Sequence, residues 1–191
     1  MHKFHTDEQI TREVYVNEYF SWAPQLPQIP EELLISNVDT LLALPNQFNG
    51  LSKTYTSHEA APEITELLQP YFPWKIRVRY QVMTKNVHPH LDYSRKFAFN
   101  YIIEPGGDDV YTLWLEDDEA TEIFKVCAPA RTWHRLRLDT CHAVSPHTSP
   151  RISLSVWPES HAGEQNFEYD VEAARRGEYD DVITRLGLSD K

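Results

Sequence analysis

Two side chains able to hold a metal ion stand two positions apart in Val87-His88-Pro89-His90-Leu91-Asp92-Tyr93. On an extended chain the imidazole of His90 and the carboxylate of Asp92 share one face, because strand side chains alternate with period two. Two ligands of a 2-His-1-carboxylate site are placed in this way, and such a site keeps open positions for reacting molecules. The pair alone carries little information, since the chain has nine histidines and His5-Thr6-Asp7 repeats the spacing. Its meaning depends on a third ligand and on an anchor for a second small molecule.

Candidates for both lie downstream. His142 falls on the next-to-last expected strand, and Arg151 opens the last one. Along that last strand Arg151, Ser153 and Ser155 share one face, while Ile152, Leu154 and Val156 share the other. A guanidinium beside a hydroxyl suits a small carboxylate, because its planar fork donates two parallel charge-assisted bonds. The competing reading of Arg151 is a salt bridge to one of the 29 acidic residues.

The elements that must position these groups follow from the hydrophobic pattern. Residues 6 to 20 fit a short helix or a strand equally well. Pro24, Pro27 and Pro30 make an extended connector, and Pro30 suits the first turn of a helix from Glu31 to about Leu44, ended by Pro45. Asn46 to Tyr55 reads as a loop. A second helix carries Ile64, Leu67 and Leu68, with either a Thr56-Ser57-His58-Glu59 capping box or Pro62 as its start.

From Trp74 the period changes to two, with Ile76, Val78, Tyr80 and Val82 on one face and Arg77, Arg79 and Gln81 on the other. Further strands are expected over 97–104, 110–116, 120–126, 131–138, 141–144 and 151–157, with a strong turn at Pro105-Gly106-Gly107-Asp108-Asp109. Residues 168–188 are charged and helical in pattern. This predicts a mainly β fold, a double-stranded β-helix (jelly roll) with flanking N- and C-terminal helices. The whole chain reads as one domain, residues 1–191. Its parts are a helical segment to about 73, a core over about 74–158 and a helical tail over about 159–191.

The bulk composition narrows the function. Eighteen basic against 29 acidic residues give a net charge of −11, which disfavours a protein whose affinity comes from neutralising phosphates. The two cysteines, Cys127 and Cys141, make neither a disulfide framework nor a Cys-x-x-Cys zinc motif. No run approaches membrane-spanning length and the start lacks a signal-type apolar core, so the expectation is a cytoplasmic protein without a membrane partner.

In sum, His90-Leu91-Asp92, then His142, then Arg151-Ile152-Ser153 resembles the His-x-Asp, His, Arg-x-Ser signature of the 2-oxoglutarate- and Fe(II)-dependent oxygenases. His142-Ala143-Val144 is similar to the wording around the second histidine of that family. The text from Pro89 through Tyr93-Ser94-Arg95 to Phe99-Asn100-Tyr101-Ile102-Ile103 resembles its small bacterial and bacteriophage members. The resemblance covers roughly residues 74 to 157. It implies that His90, Asp92 and His142 hold Fe(II) and that Arg151 and Ser153 bind the distal carboxylate of 2-oxoglutarate. Tyr80 would add a hydroxyl to that carboxylate unless it is a plain core tyrosine. Asn100 would meet the carboxylate nearer the metal or serve the substrate pocket.

The implied reaction is hydroxylation of an unactivated C–H with release of succinate and CO2. Arg95, His88 and Trp114 are candidates for contact with substrate, the rival roles being a surface ion pair for Arg95 and core packing for Trp114. His88 is also the candidate for an additional metal ligand of the kind cupin sites use. His134 reads as an ordinary strand histidine. No second arginine follows Arg151, which favours a protein side chain, an amino acid or a small metabolite over nucleic acid. Two alternatives are a cupin-like dioxygenase or isomerase that does not use 2-oxoglutarate, and a non-catalytic jelly-roll binding module.

Overall fold

The computed structural model of the chain describes residues 16–45, 48–50, 55–72, 75–90, 97–116 and 121–158. Asp92, Arg95 and the expected tail helices lie outside them.

Eleven strands are found among the described residues: β1 (Phe20–Trp22), β2 (Phe48–Gly50), β3 (Tyr55–Glu59), β4 (Ile76–Met83), β5 (Val87–His90), β6 (Phe97–Glu104), β7 (Thr112–Leu115), β8 (Glu122–Val126), β9 (Trp133–Arg137), β10 (His142–Val144) and β11 (Arg151–Pro158). They form a larger sheet in the order β1-β9-β6-β11-β4-β3-β2 and a smaller one in the order β5-β10-β7-β8, with every pairing antiparallel. From β4 to β11 the chain crosses between the two sheets at every step except the β7–β8 hairpin, in the manner of a jelly roll, so the expected mainly β fold is the observed one.

The larger sheet is covered on both sides, and the alternation along its strands assigns the covers. Val78, Tyr80 and Val82 of β4, Phe99, Tyr101 and Ile103 of β6, and Ile152, Leu154 and Val156 of β11 pack outward. Above them lie Leu26, Ile29, Leu41, Ile64, Leu68 and Phe72 from the segments that precede β4. Fully burying one such aliphatic or aromatic side chain is worth about 1.5–3 kcal/mol. The opposite face of the same strands looks toward the smaller sheet and is mixed: Gln81, Asn100, Arg151, Ser153 and Ser155 stand among Ala98 and Ile102. The outer face meets the helical cover, and the inner, more polar face meets the cleft.

The expected helix from Glu31 to Leu44 is broken. Only a 3₁₀ turn, Glu31–Leu33, and a short helix α1, Val38–Leu42, form. Leu34 is extended, and the side chain of Asn37 caps α1 by accepting from the Thr40 amide at 2.9 Å. The intervening Ile35 amide donates instead to the Tyr80 hydroxyl at 3.1 Å. The expected 46–55 loop and the Thr56–Glu59 capping box are also corrected, because β2 and β3 pair there and extend the larger sheet. Helix α2 therefore starts at Pro62 and runs to Leu68, with Ala61 as its cap. Among the described residues no helix is long and apolar enough to cross a membrane.

Candidate functional site

His90 ends the described part of β5 and His142 opens β10, and the two are direct register partners. Their ring centroids are 4.3 Å apart and tilted by 51°. Each ring uses Nδ1 on a backbone carbonyl two residues earlier: His90 on His88 O at 2.8 Å, His142 on Thr140 O at 2.9 Å. That contact requires the proton on Nδ1, so the neutral tautomer presents the Nε2 lone pair, the form in which imidazole binds metals.

His88 does not join them. Between Val87 and His90 the β5 chain carries one residue more than the β10 stretch it faces, because Val144 pairs with Val87 and His142 with His90. This bulge breaks the period of two and places Val87 and His90 on the same side, where both line the cleft. Pro89, which has no amide to give to the ladder, sits inside the bulge. The His88 side chain is turned out to solvent. The candidacy of His88 as an additional metal ligand beside His90 is therefore corrected, and the backbone carbonyl of His88 is the group that serves His90.

The two histidines form part of one wall of a cleft between the sheets. It holds about 630 Å³ of atom-free space, mouth included. Arg151, Ser153 and Ser155 of β11 line the facing wall with Gln81 and Asn100. Arg151 is 5% exposed and spans the gap between sheets, where its Nη2 reaches Thr112 Oγ1 at 3.5 Å, the limit of a hydrogen bond. Among the described residues no carboxylate pairs with it, so the salt-bridge reading has no support there. Burial alone pulls its pKa down from 12.5 to about 10, opposed by the Cys127 thiol. The guanidinium remains charged at neutral pH.

Several expected site residues are placed elsewhere. Tyr80 lies on the outward face of β4, 1% exposed, with its hydroxyl donating to Leu33 O at 3.2 Å and accepting from the Ile35 amide at 3.1 Å. It faces away from Arg151, so the expectation of a contact to the same carboxylate is corrected. The residue that points inward from this strand at that level is Gln81. Trp114 is fully buried behind the cleft, donating from Nε1 to Arg137 O at 2.9 Å and tilted against Phe124. Its role is packing, not contact with substrate. Asn100 lines the cleft.

His134 is 1% exposed. Burial first and the charge of Arg151 second lower its pKa from 6.5 to about 3, so it is neutral. Gln81, Thr112 and Ser155 are cleft residues that sequence reasoning did not single out. Gln81 and Ser155 could have been found from the polar alternation of their strands, while Thr112 carries no such signal. Asp92 and Arg95 lie outside the described residues, and among those described no three His, Cys, Asp or Glu side chains converge.

No protein-family model and no curated protein matches the chain. Among solved structures it is similar to a 2OG-Fe(II) oxygenase family oxidoreductase from Burkholderia pseudomallei, at 13% identity and a TM-score of 0.43 over 62% of this chain and 74% of that one. A non-heme alpha ketoglutarate dependent epimerase, SnoN from nogalamycin biosynthesis, matches at 12% identity and a TM-score of 0.46, over 79% of this chain and 82% of that one. Vicilin from Corylus avellana matches at 13% identity and a TM-score of 0.41, over 64% of this chain but only 33% of the vicilin. Likeness at this level carries no functional weight; the strand order and register are what establish the jelly roll.

Proposed function

We propose that this chain is an Fe(II)- and 2-oxoglutarate-dependent oxygenase that hydroxylates an amino acid, a protein side chain or a small metabolite. The observation that carries this reading is the shared cleft, with His90 and His142 on one wall and Arg151 and Ser153 on the other. Two imidazoles fixed through Nδ1 suit a divalent transition metal, and a buried cation without a described counter-ion suits a dicarboxylic acid. Asp92, two positions beyond His90, is the proposed third ligand. When bound, Fe(II) and 2-oxoglutarate with dioxygen supply oxidation of an unactivated C–H, releasing succinate and CO2.

The contribution of the chain is position and exclusion of water. Backbone carbonyls of His88 and Thr140 hold the two rings in one tautomer and one orientation. Arg151 offers its fork in a poorly solvated setting, where pairing with a carboxylate is stronger than in water. Ile102, Leu136, Leu138 and Val144 line the same space and supply its apolar surface. The outward position of His88 weighs against a cupin-type site with an additional histidine ligand. The acidic balance of the chain favours small or protein substrates over nucleic acid.

Anaerobic titration with Fe(II) followed by 2-oxoglutarate tests the proposal. A weak visible charge-transfer band, followed by succinate formation when oxygen is admitted, is the expected result. Absence of both the band and 2-oxoglutarate-dependent succinate overturns it.

A further inference from the structure

The inner face of the larger sheet carries a second polar group that the Arg151 anchor does not use. Ser155 of β11 stands opposite Asn100 of β6, and Asn100 stands opposite His134 of β9, so three polar side chains form one row across three strands. Ser155 and Asn100 line the cleft. His134 backs the row, stacked on Phe20 with ring centroids 5.3 Å apart. Ser155 is fully buried, and its Oγ and the Asn100 Oδ1 have no hydrogen-bond partner. Buried polar atoms are costly to leave unpaired, and folded proteins leave few. Two of them side by side on the wall of a cleft, on Ser155 and Asn100, leave a place for a ligand group to pair with.

The chemistry of the row defines what would complete it. The Asn100 oxygen accepts, a neutral imidazole donates at one nitrogen and accepts at the other, and a serine hydroxyl does both. A carboxylate offers acceptors alone, so it can take the donors of the row but leaves the Asn100 oxygen without one. An ammonium offers donors alone and would have to enter a cleft that already holds the Arg151 cation. A carboxamide or an alcohol donates and accepts without charge.

We propose that the Ser155–Asn100–His134 row is a subsite for an uncharged carboxamide or hydroxyl group of a small ligand, separate from the carboxylate anchor at Arg151. Calling that ligand the molecule to be oxidised rests on the oxygenase reading above; the subsite itself does not.

The test uses the isotope-labelled chain and three probes added separately: propanamide, propionate and 2-oxoglutarate. The side-chain amide signals of Asn100 and the ring signals of His134 are followed by NMR. Propanamide is expected to shift both sets saturably, propionate to leave them in place, and 2-oxoglutarate not to compete with propanamide. Ser155→Ala is expected to weaken propanamide binding about fivefold or more, the effect of losing one hydrogen bond. It should also raise the melting temperature of the free protein, because it deletes a buried hydroxyl that has no partner. A packing role alone would not couple lost binding to gained stability. Unmoved Asn100 and His134 signals in the unmutated chain, equal binding of propanamide and propionate, or full binding by Ser155→Ala each overturn the subsite. Loss of 2-oxoglutarate binding with propanamide binding intact overturns the oxygenase reading alone.

Discussion

His90 and His142 are held as a matched pair: direct partners across the β5–β10 ladder, rings 4.3 Å apart, each with Nδ1 on the carbonyl two residues before it. The arrangement fixes the tautomer of both rings through the backbone, so it survives any side-chain change at position 88. His90→Ala and His142→Ala are each expected to lower Co(II) affinity by about 100-fold or more, since a lost ligand costs more than the 10–100-fold of a lost supporting contact. His88→Ala should change it less than about threefold. Anaerobic Co(II) titration followed by absorption checks this, and a His88→Ala loss equal to that of His90→Ala would show that the side chain, not its carbonyl, is the working group.

Arg151 is a buried cation with no described carboxylate partner, so its removal should act oppositely on folding and on binding. Arg151→Met is expected to leave the melting temperature unchanged or raised, because burying an unpaired charge is costly. The same change should weaken 2-oxoglutarate binding by about 2 kcal/mol or more, the scale of a hydrogen bond to a charged group. Calorimetric titration together with a thermal melt separates the two effects. A large fall in stability with unchanged 2-oxoglutarate affinity would assign Arg151 to the scaffold.

His134 makes stability depend on pH with a definite sign. Its folded-state pKa, about 3, lies below the ordinary 6.5, so between those values the unfolded chain takes up a proton that the folded chain refuses. Its contribution is present above pH 6.5 and is lost as the pH falls toward 3. The slope approaches ~1.4 kcal/mol per pH unit, or roughly 2 kcal/mol between pH 7 and pH 5. Chemical denaturation at both pH values should show this loss in the unmutated chain and a smaller one in His134→Gln. Parallel pH profiles for the two proteins would rule it out.

Tyr80 links the larger sheet to the segment that covers it through Leu33 O and the Ile35 amide. Tyr80→Phe removes that bridge and is expected to cost about 1–2 kcal/mol, with the Leu33 and Ile35 groups losing their shared partner. Affinity for 2-oxoglutarate should be unaffected, since the hydroxyl points away from the cleft. Any marked fall in that affinity in the folded variant would return Tyr80 to the site.

Gly106 secures the corner beside the anchor. It has φ +88°, and a Cβ there would lie 3.0 Å from His147 Cβ, 3.1 Å from Ser149 O and 3.2 Å from Arg151 Cβ. Its carbonyl also accepts from the Thr148 and Ser149 amides. Gly106→Ala is expected to destabilise the fold by about 1–3 kcal/mol through the left-handed backbone and the crowding together. It should also weaken 2-oxoglutarate binding by displacing Arg151. Denaturant unfolding and ligand titration on the same sample test both parts.

Much of the architecture was legible because strand alternation is local. The faces of β4 and β11, the turn at Pro105–Asp109 and the order of the candidate ligands can all be read without a structure. The broken helix was not legible: Leu33, Leu34, Val38, Leu41 and Leu42 keep helical spacing, yet Asn37 starts a new helix and Ile35 is drawn to Tyr80. Strand β3 was hidden for a similar reason. Thr56-Ser57-His58-Glu59 has the composition of a helix cap, and only pairing with β4 makes it a strand.

What the chain determined by itself was which residues share a face, because side-chain direction follows from backbone period alone. Which of two buried faces looks into the cleft was decided by tertiary structure. The apolar face of β4 is claimed by the covering segments, which leaves Gln81 inside and Tyr80 outside. The bulge at Val87–His90 is likewise a property of the β5–β10 pairing, where one additional residue must be absorbed. That single insertion turns His88 to solvent and leaves His90 facing His142.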